Sequence, residues 1–188
     1  MPLPSADSIA SAISQASTHG LPPVERWNPP FCGDLDMRIA RDGTWFYLGT
    51  PIGRHRLVRL FSTVLKREGD RYFLVTPVEK VGITVEDAPF LAVDFTVDGA
   101  GRDQRLTFTT TVGDSVTADS AHPLRVDLSN EAPAPYVEVR AGLEALIDRK
   151  SFFRLVDLGT REEIDGTPQF GVWSAGVFFP IAPADQIE

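Results

Sequence analysis

One pattern occurs twice in this chain and limits how it can be laid out. Arg54-His-Arg-Leu57-Val-Arg-Leu60-Phe61 in the first half is matched by Arg140-Ala-Gly-Leu143-Glu-Ala-Leu146-Ile147 in the second, each directly after an extended apolar stretch. An arginine where a strand hands over to an amphipathic helix, with leucines following at helical spacing, predicts one supersecondary unit used twice. A duplicated unit creates a seam between its copies, and small ligands commonly bind in such seams. Both copies would bring an arginine to a helix N-terminus there.

The stretches around the repeat read as short strands with few helices. Ser5 caps a predicted helix running to about Ser17, with Ile9, Ala12, Ile13 and Ala16 on one face. Leu21 to Phe31 carries four prolines and reads as an extended linker. Leu35, Met37 and Ile39 alternate with polar neighbours, Asp42-Gly43 is a turn, and Thr44 to Leu48 returns as the second strand of a hairpin. Gly53 to Lys66 is a predicted helix, Tyr72 to Val75 and Val81 to Val85 are strands, and Asp87-Ala-Pro89 looks like a boundary. Beyond it an antiparallel meander runs to Val139, Ala141 to Arg149 forms the second copy's helix, Phe152 to Leu158 leans towards helix with Ser151 as cap, and Phe170 to Ile181 closes the sheet. The fold class is therefore α+β: two halves share a repeated strand-helix-strand motif and antiparallel sheets. The divisions are an N-terminal helix and proline-rich linker over 1–30, an α+β half over 31–88 and a β-rich half with one helix over 89–188.

Composition excludes several functions. With 43% hydrophobic residues and a mean hydropathy of -0.07, the chain reads as an ordinary soluble domain, and no apolar run approaches the roughly 20 residues that span a bilayer. The first residues lack a basic region and a continuous apolar core, so no signal peptide is expected. One cysteine excludes an internal disulfide framework. These features together read as cytoplasmic. A formal net charge of -8 argues against non-specific nucleic-acid binding, which needs cations to neutralise phosphates.

Catalytic signatures are incomplete. No P-loop is present, and Gly99-Ala-Gly101 lacks the third glycine of a dinucleotide fingerprint. Trp173-Ser174-Ala-Gly176 resembles a nucleophile elbow only in part, and no histidine follows Ser174, which breaks the hydrolase order. His19, His55 and His122 are isolated, so no metal and no cofactor are expected. Cys32 reads as a packing residue at the start of the first strand rather than a redox sensor. Arg54 and Arg140 are the candidates for anion binding, because a cation beside free helix N-H groups favours a phosphate or carboxylate; internal salt bridges to Asp34, Asp42 or Glu79 are the competing reading. Arg56, Arg59, Lys66 and Arg67 form a basic stripe along the predicted helix of the first repeat copy, fit for an acidic partner or a solvated face. Trp45 and Trp173 read as core anchors that could also wall a ligand site, and Lys80 is a third charge partner.

In order and spacing, Phe31-Cys-Gly-Asp34, Ile39-Ala-Arg-Asp42-Gly-Thr-Trp45, Pro51-Ile-Gly-Arg54, Leu60-Phe-Ser-Thr-Val-Leu65, Tyr72-Phe-Leu-Val-Thr-Pro77-Val-Glu79-Lys80, Asp87-Ala-Pro-Phe90 and Gly171-Val-Trp-Ser-Ala-Gly176 resemble the bacterial family catalogued as domain of unknown function 1285. The resemblance covers most of the chain after about Pro22. It implies an internally duplicated core, a C-terminal half superficially like pleckstrin-homology domains, a groove for a nucleotide-like ligand and a signalling context; it supplies no catalytic residues. The resulting expectation is a cytoplasmic, non-catalytic ligand-binding or regulatory module. It would hold a small anionic ligand between the halves through Arg54, Arg140, Trp45, Lys80 and Trp173. A protein-interaction domain without a small ligand, and a small enzyme using Asp34, Asp42 or Glu79 as general base, are the alternatives.

Overall fold

The structure, a computed structural model, describes residues 3–17 and 19–187. It divides into two compact units, Met1–Pro89 and Phe90–Glu188. In the first, helix α1 (Ala6–Ala16) begins with a reciprocal capping box between Ser5 and Ser8 and buries Ile9 and Ile13, as their spacing predicts. The proline-rich stretch that follows is interrupted by one 3-10 turn, Val24–Arg26. Strands β1 (Phe31–Ile39), β2 (Trp45–Tyr47) and β3 (Thr50–Pro51) come next, then helix α2 (His55–Ser62) and strands β4 (Leu65–Glu68), β5 (Arg71–Val75) and β6 (Lys80–Val85). The predicted Asp42-Gly43 turn forms: the Asp42 carboxylate accepts from the Thr44 N-H, and Gly43 takes a φ of 85°.

These strands make one sheet in the order β3-β2-β1-β6-β5-β4. All neighbours are antiparallel except β1 and β6, which run parallel with Phe31 opposite Lys80 and Ile39 opposite Val85. Met37, Ile39, Phe61, Leu65, Leu74 and Val81 form the core of the unit. Helix α2 stops eight residues after it starts, where the 3.6-residue pattern predicts continuation to Lys66. Ser62 and Thr63 turn their hydroxyls back to the carbonyls of Arg59 and Leu60, competing with further helix. Leu65–Glu68 then pairs with β5, placing Leu65 opposite Leu74. Leu65 is buried in this arrangement, so sheet pairing takes over a residue that the periodic pattern assigns to the helix.

The second unit repeats this topology. Strands β7 (Phe90–Asp98), β8 (Arg105–Thr110), β9 (Ser115–Thr117), β10 (Leu124–Asp127), β11 (Ala134–Arg140) and β12 (Leu143–Ile147) form a sheet in the order β10-β11-β12-β7-β8-β9. With strands numbered from the start of each unit, both sheets read 3-2-1-6-5-4, and the first and last strands are the parallel pair in both. The bond that closes the pair recurs: Glu86 N-H donates to the Ile39 carbonyl at 3.0 Å and Asp148 N-H to the Ala92 carbonyl at 2.9 Å. The α+β class and the repeated two-half architecture are thus present.

Position within the repeat differs from the sequence reading. Arg54 is the N-cap of α2, but Arg140 ends β11, and Ala141–Arg149 is not a helix. Ala141 and Gly142 take φ of 48° and 76°, a two-residue type I′ turn that sends the chain back as β12. The leucines at 143 and 146 mimic helical spacing within a strand that is buried almost throughout. The second copy also lacks a helix between its third and fourth strands, where the Asp119 carboxylate gathers the N-H groups of Ala121 and His122 into a turn. Its helix α3 (Arg149–Asp157) follows the sheet instead, capped by Asp148, whose carboxylate accepts from Ser151 N-H at 2.8 Å. Phe152 to Leu158 is therefore helical as expected, with the cap three residues earlier.

A third sheet, β13 (Thr160–Ile164), β14 (Thr167–Ser174) and β15 (Val177–Pro183), completes this unit. The segment read as one closing strand folds on itself at Ala175-Gly176, with φ of 49° and 76°. Ser174, fully buried, anchors this hairpin: its hydroxyl donates to the Ala118 carbonyl at 2.6 Å and accepts from Leu106 N-H at 3.0 Å. Those two hydrogen bonds occupy a serine whose motif hinted at a nucleophile.

Two stability outcomes follow. Ser174→Ala strands the buried Leu106 N-H and lowers unfolding stability by about 1–3 kcal/mol, read as a lower urea midpoint; an unchanged midpoint would show that the anchor is dispensable. Ala141→Asn places a residue tolerant of positive φ in the I′ turn and raises stability by up to about 1 kcal/mol, whereas a loss would contradict the turn geometry.

Candidate functional site

In the first unit, helix α2 turns Val58 and Phe61 inward and leaves His55, Arg56 and Arg59 exposed on its outer side, with exposed Arg54 at the cap. Arg56 and Arg59, three residues apart, lie on one face. The Arg54 side chain makes no capping bond, and no acidic residue stands in the first turn. Among the described residues, Arg54, Arg56 and Arg59 form no ion pair. Several other cations of this unit are committed: Arg38 to Glu86, Arg71 to Asp34 at 2.8 Å, and Lys66 to Glu25 and Glu68. Lys66 and Arg67 belong to β4 rather than to the helix, so the basic stripe is shorter than the sequence suggests.

The other ligand candidates lie apart by role. Trp45, 3% exposed, stacks on Phe61 with ring centroids 6.3 Å apart and is a core residue. Lys80 pairs with Glu68 at 2.5 Å and sits 4.3 Å from the Phe73 ring centroid. In the second unit, Arg140 meets Asp114 at 3.0 Å and lies over the Phe90 ring. Trp173 is half-buried; its indole N-H donates to Glu162, and the Arg102 guanidinium lies 5.0 Å from its ring centroid. Arg102 also pairs with Glu162, closing a small cluster.

The candidate bases split similarly. Asp34 is engaged by Arg71, and the Thr44 backbone N-H holds the Asp42 carboxyl below its ordinary range. A general base needs the opposite displacement. The Glu79 carboxylate has no partner among the described residues. No group of three metal-ligating side chains gathers among them, and none of the described helices is long and apolar enough to cross a membrane.

Sequence reading missed a groove in the first unit. Leu3 and Ala12 on one side, with Phe31, Cys32, Val78 and Glu79 on the other, enclose about 570 Å³. Phe31 and Val78 lie far apart in the chain, and the parallel pairing that sets Phe31 opposite Lys80 brings them together. Their apolar character was readable, but Phe31 reads from the sequence as laid onto the body of the fold, and neither its exposure nor its proximity to Val78 was legible.

The Lys80–Glu68 pair has a pH signature. The Lys80 hydrogen bond, ahead of any other cause, keeps the Glu68 carboxyl below its ordinary range. The pair's contribution to stability is thus present above the ordinary glutamate range and lost as pH falls through the lowered value. It is small because the carboxylate is well exposed. Lys80→Met moves the Glu68 titration upward, towards the usual range, in carboxyl carbon NMR, while Lys66 still holds part of the lowering; an unmoved midpoint would mean that the pair does not form in solution.

Comparison with known proteins returns one family. The model described as "Domain of unknown function (DUF1285), N-terminal domain" matches residues 22–88, and "Protein of unknown function (DUF1285), C-terminal domain" matches 89–181. A crystal structure of a DUF1285 family protein from Silicibacter pomeroyi is 59% identical with a TM-score of 0.86, over 95% of this chain and 97% of that one. Another from Shewanella baltica is 32% identical with a TM-score of 0.52, over 64% of this chain and 90% of that one. No curated protein matches the chain.

Proposed function

The chain belongs to the DUF1285 family, and on that premise we propose that it acts as a non-catalytic regulatory module binding a small anionic, nucleotide-like ligand, with the cationic side of α2 reading the charge. The observation that carries this reading is the trio Arg54, Arg56 and Arg59, exposed and without ion pairs among the described residues, on a chain of net charge -8. Guanidinium groups grip phosphate oxygens in bidentate fashion, and the uncapped helix start adds backbone N-H groups and the positive end of the macrodipole. Arg140 carries less of the argument, since Asp114 already engages it. A module that binds such a ligand without transforming it reports the ligand's level, which is the signalling role this reading assigns.

The test is a thermal-shift series with mononucleotides, dinucleotides and inorganic phosphate. A ligand at a hundred times its dissociation constant adds about 2.7 kcal/mol of stability. The Arg54→Ala/Arg56→Ala/Arg59→Ala variant should fold and lose the shift, and added salt should weaken it. No shift with any anion, or an undiminished shift in the triple variant, would refute the reading.

A further inference from the structure

The groove of the first unit lies outside the proposed anion site, and its chemistry is of the opposite sign. Its volume, about 570 Å³, falls within the range of small-molecule sites. Three exposed apolar side chains from separate segments, Leu3, Phe31 and Val78, gather around it. Singly such residues are ordinary surface; grouped about one concavity they form an apolar wall.

The polar groups of the groove are nearly all spent. Ser5 and Ser8 each accept a hydrogen bond from the other's backbone N-H, at 3.0 and 3.1 Å, and the Ser8 hydroxyl donates to the Ser5 carbonyl. The Cys32 thiol points to the Pro30 carbonyl at 3.4 Å. What remains besides the Ser5 hydroxyl hydrogen is the Glu79 carboxylate, which has no partner among the described residues. The adjacent Lys80 does not neutralise it, because Lys80 is held by Glu68. An anionic ligand meets repulsion here, and a neutral apolar one leaves the charge unanswered.

We propose that this groove binds a small amphiphilic amine, its apolar body against Leu3, Phe31 and Val78 and its ammonium group on Glu79. The proposal is independent of the anion site on α2.

Cys32 is the chain's one cysteine and lines the groove, so its reaction with a neutral disulfide, 4,4′-dithiodipyridine, reads occupancy directly. The probes are n-hexylamine, n-hexanol and n-hexanoate at matched ionic strength, with a free model thiol as control. The amine at ten times its dissociation constant should slow Cys32 labelling about tenfold, the alcohol less, and the carboxylate not at all. In Glu79→Gln the amine should protect no better than the alcohol, and in Ala12→Trp, which fills the groove, none should protect. Equal protection by all three probes, or an amine advantage that survives Glu79→Gln, would overturn the proposal. The triple arginine variant of α2 should keep the amine response, so failure of either site is read separately.

Discussion

Each unit of this protein depends on one non-local pairing, the parallel contact between its first and sixth strands. β1 meets β6 and β7 meets β12 across forty or more residues of intervening chain. Antiparallel hairpins close themselves through short turns, whereas a parallel pair needs a long connection and its loop-closure entropy must be offset by burial. Met37, Ile39 and Val81 supply that burial in the first unit, and Ala92, Ala145 and Ile147 in the second. Once the pair forms, the two hairpin runs on either side fall into one sheet, giving the same strand order twice.

The same pairing arranges the functional surface of the first unit. Setting Phe31 opposite Lys80 carries the start of β1 alongside the β5–β6 turn, where Thr76 holds the backbone of Val78 and Glu79 through its hydroxyl. An apolar wall and a carboxylate from distant parts of the chain thereby share one groove. Charge is distributed unevenly around it. Arg38, Arg41, Lys66, Arg71 and Lys80 are tied to carboxylates, whereas α2 presents a run of arginines to solvent. Small exposed ion pairs add little stability; their consequence here is to leave a cationic face and an anionic groove as the uncompensated features.

Local chemistry made several elements readable. The Ser5 cap and isoleucine spacing of α1, the Asp42-Gly43 turn and the helical character of Phe152 to Leu158 all match the structure. The misreadings share one cause. In Leu143 to Ile147 and in Leu65, apolar spacing fits helix and strand alike, and the outcome depends on a partner strand that periodicity cannot locate. Gly142 and Gly176 were the available signals for two of the missed turns, but each follows alanine instead of the asparagine or aspartate that announces a type I′ hairpin. Of the residues assigned to a ligand, Arg54 is exposed and uncommitted, Trp45 is core, and Lys80 and Arg140 already hold carboxylates.

Taken alone, the residue order determined that this is an acidic α+β chain of two related halves with hairpins at its clearest turns, because composition and short-range turn chemistry act within a few residues. Only the tertiary structure decided where the repeat lies, which arginines stay free and which apolar side chains share a groove. Those outcomes rest on strand pairings between distant segments, whose free energy comes from burial that no local stretch of sequence contains.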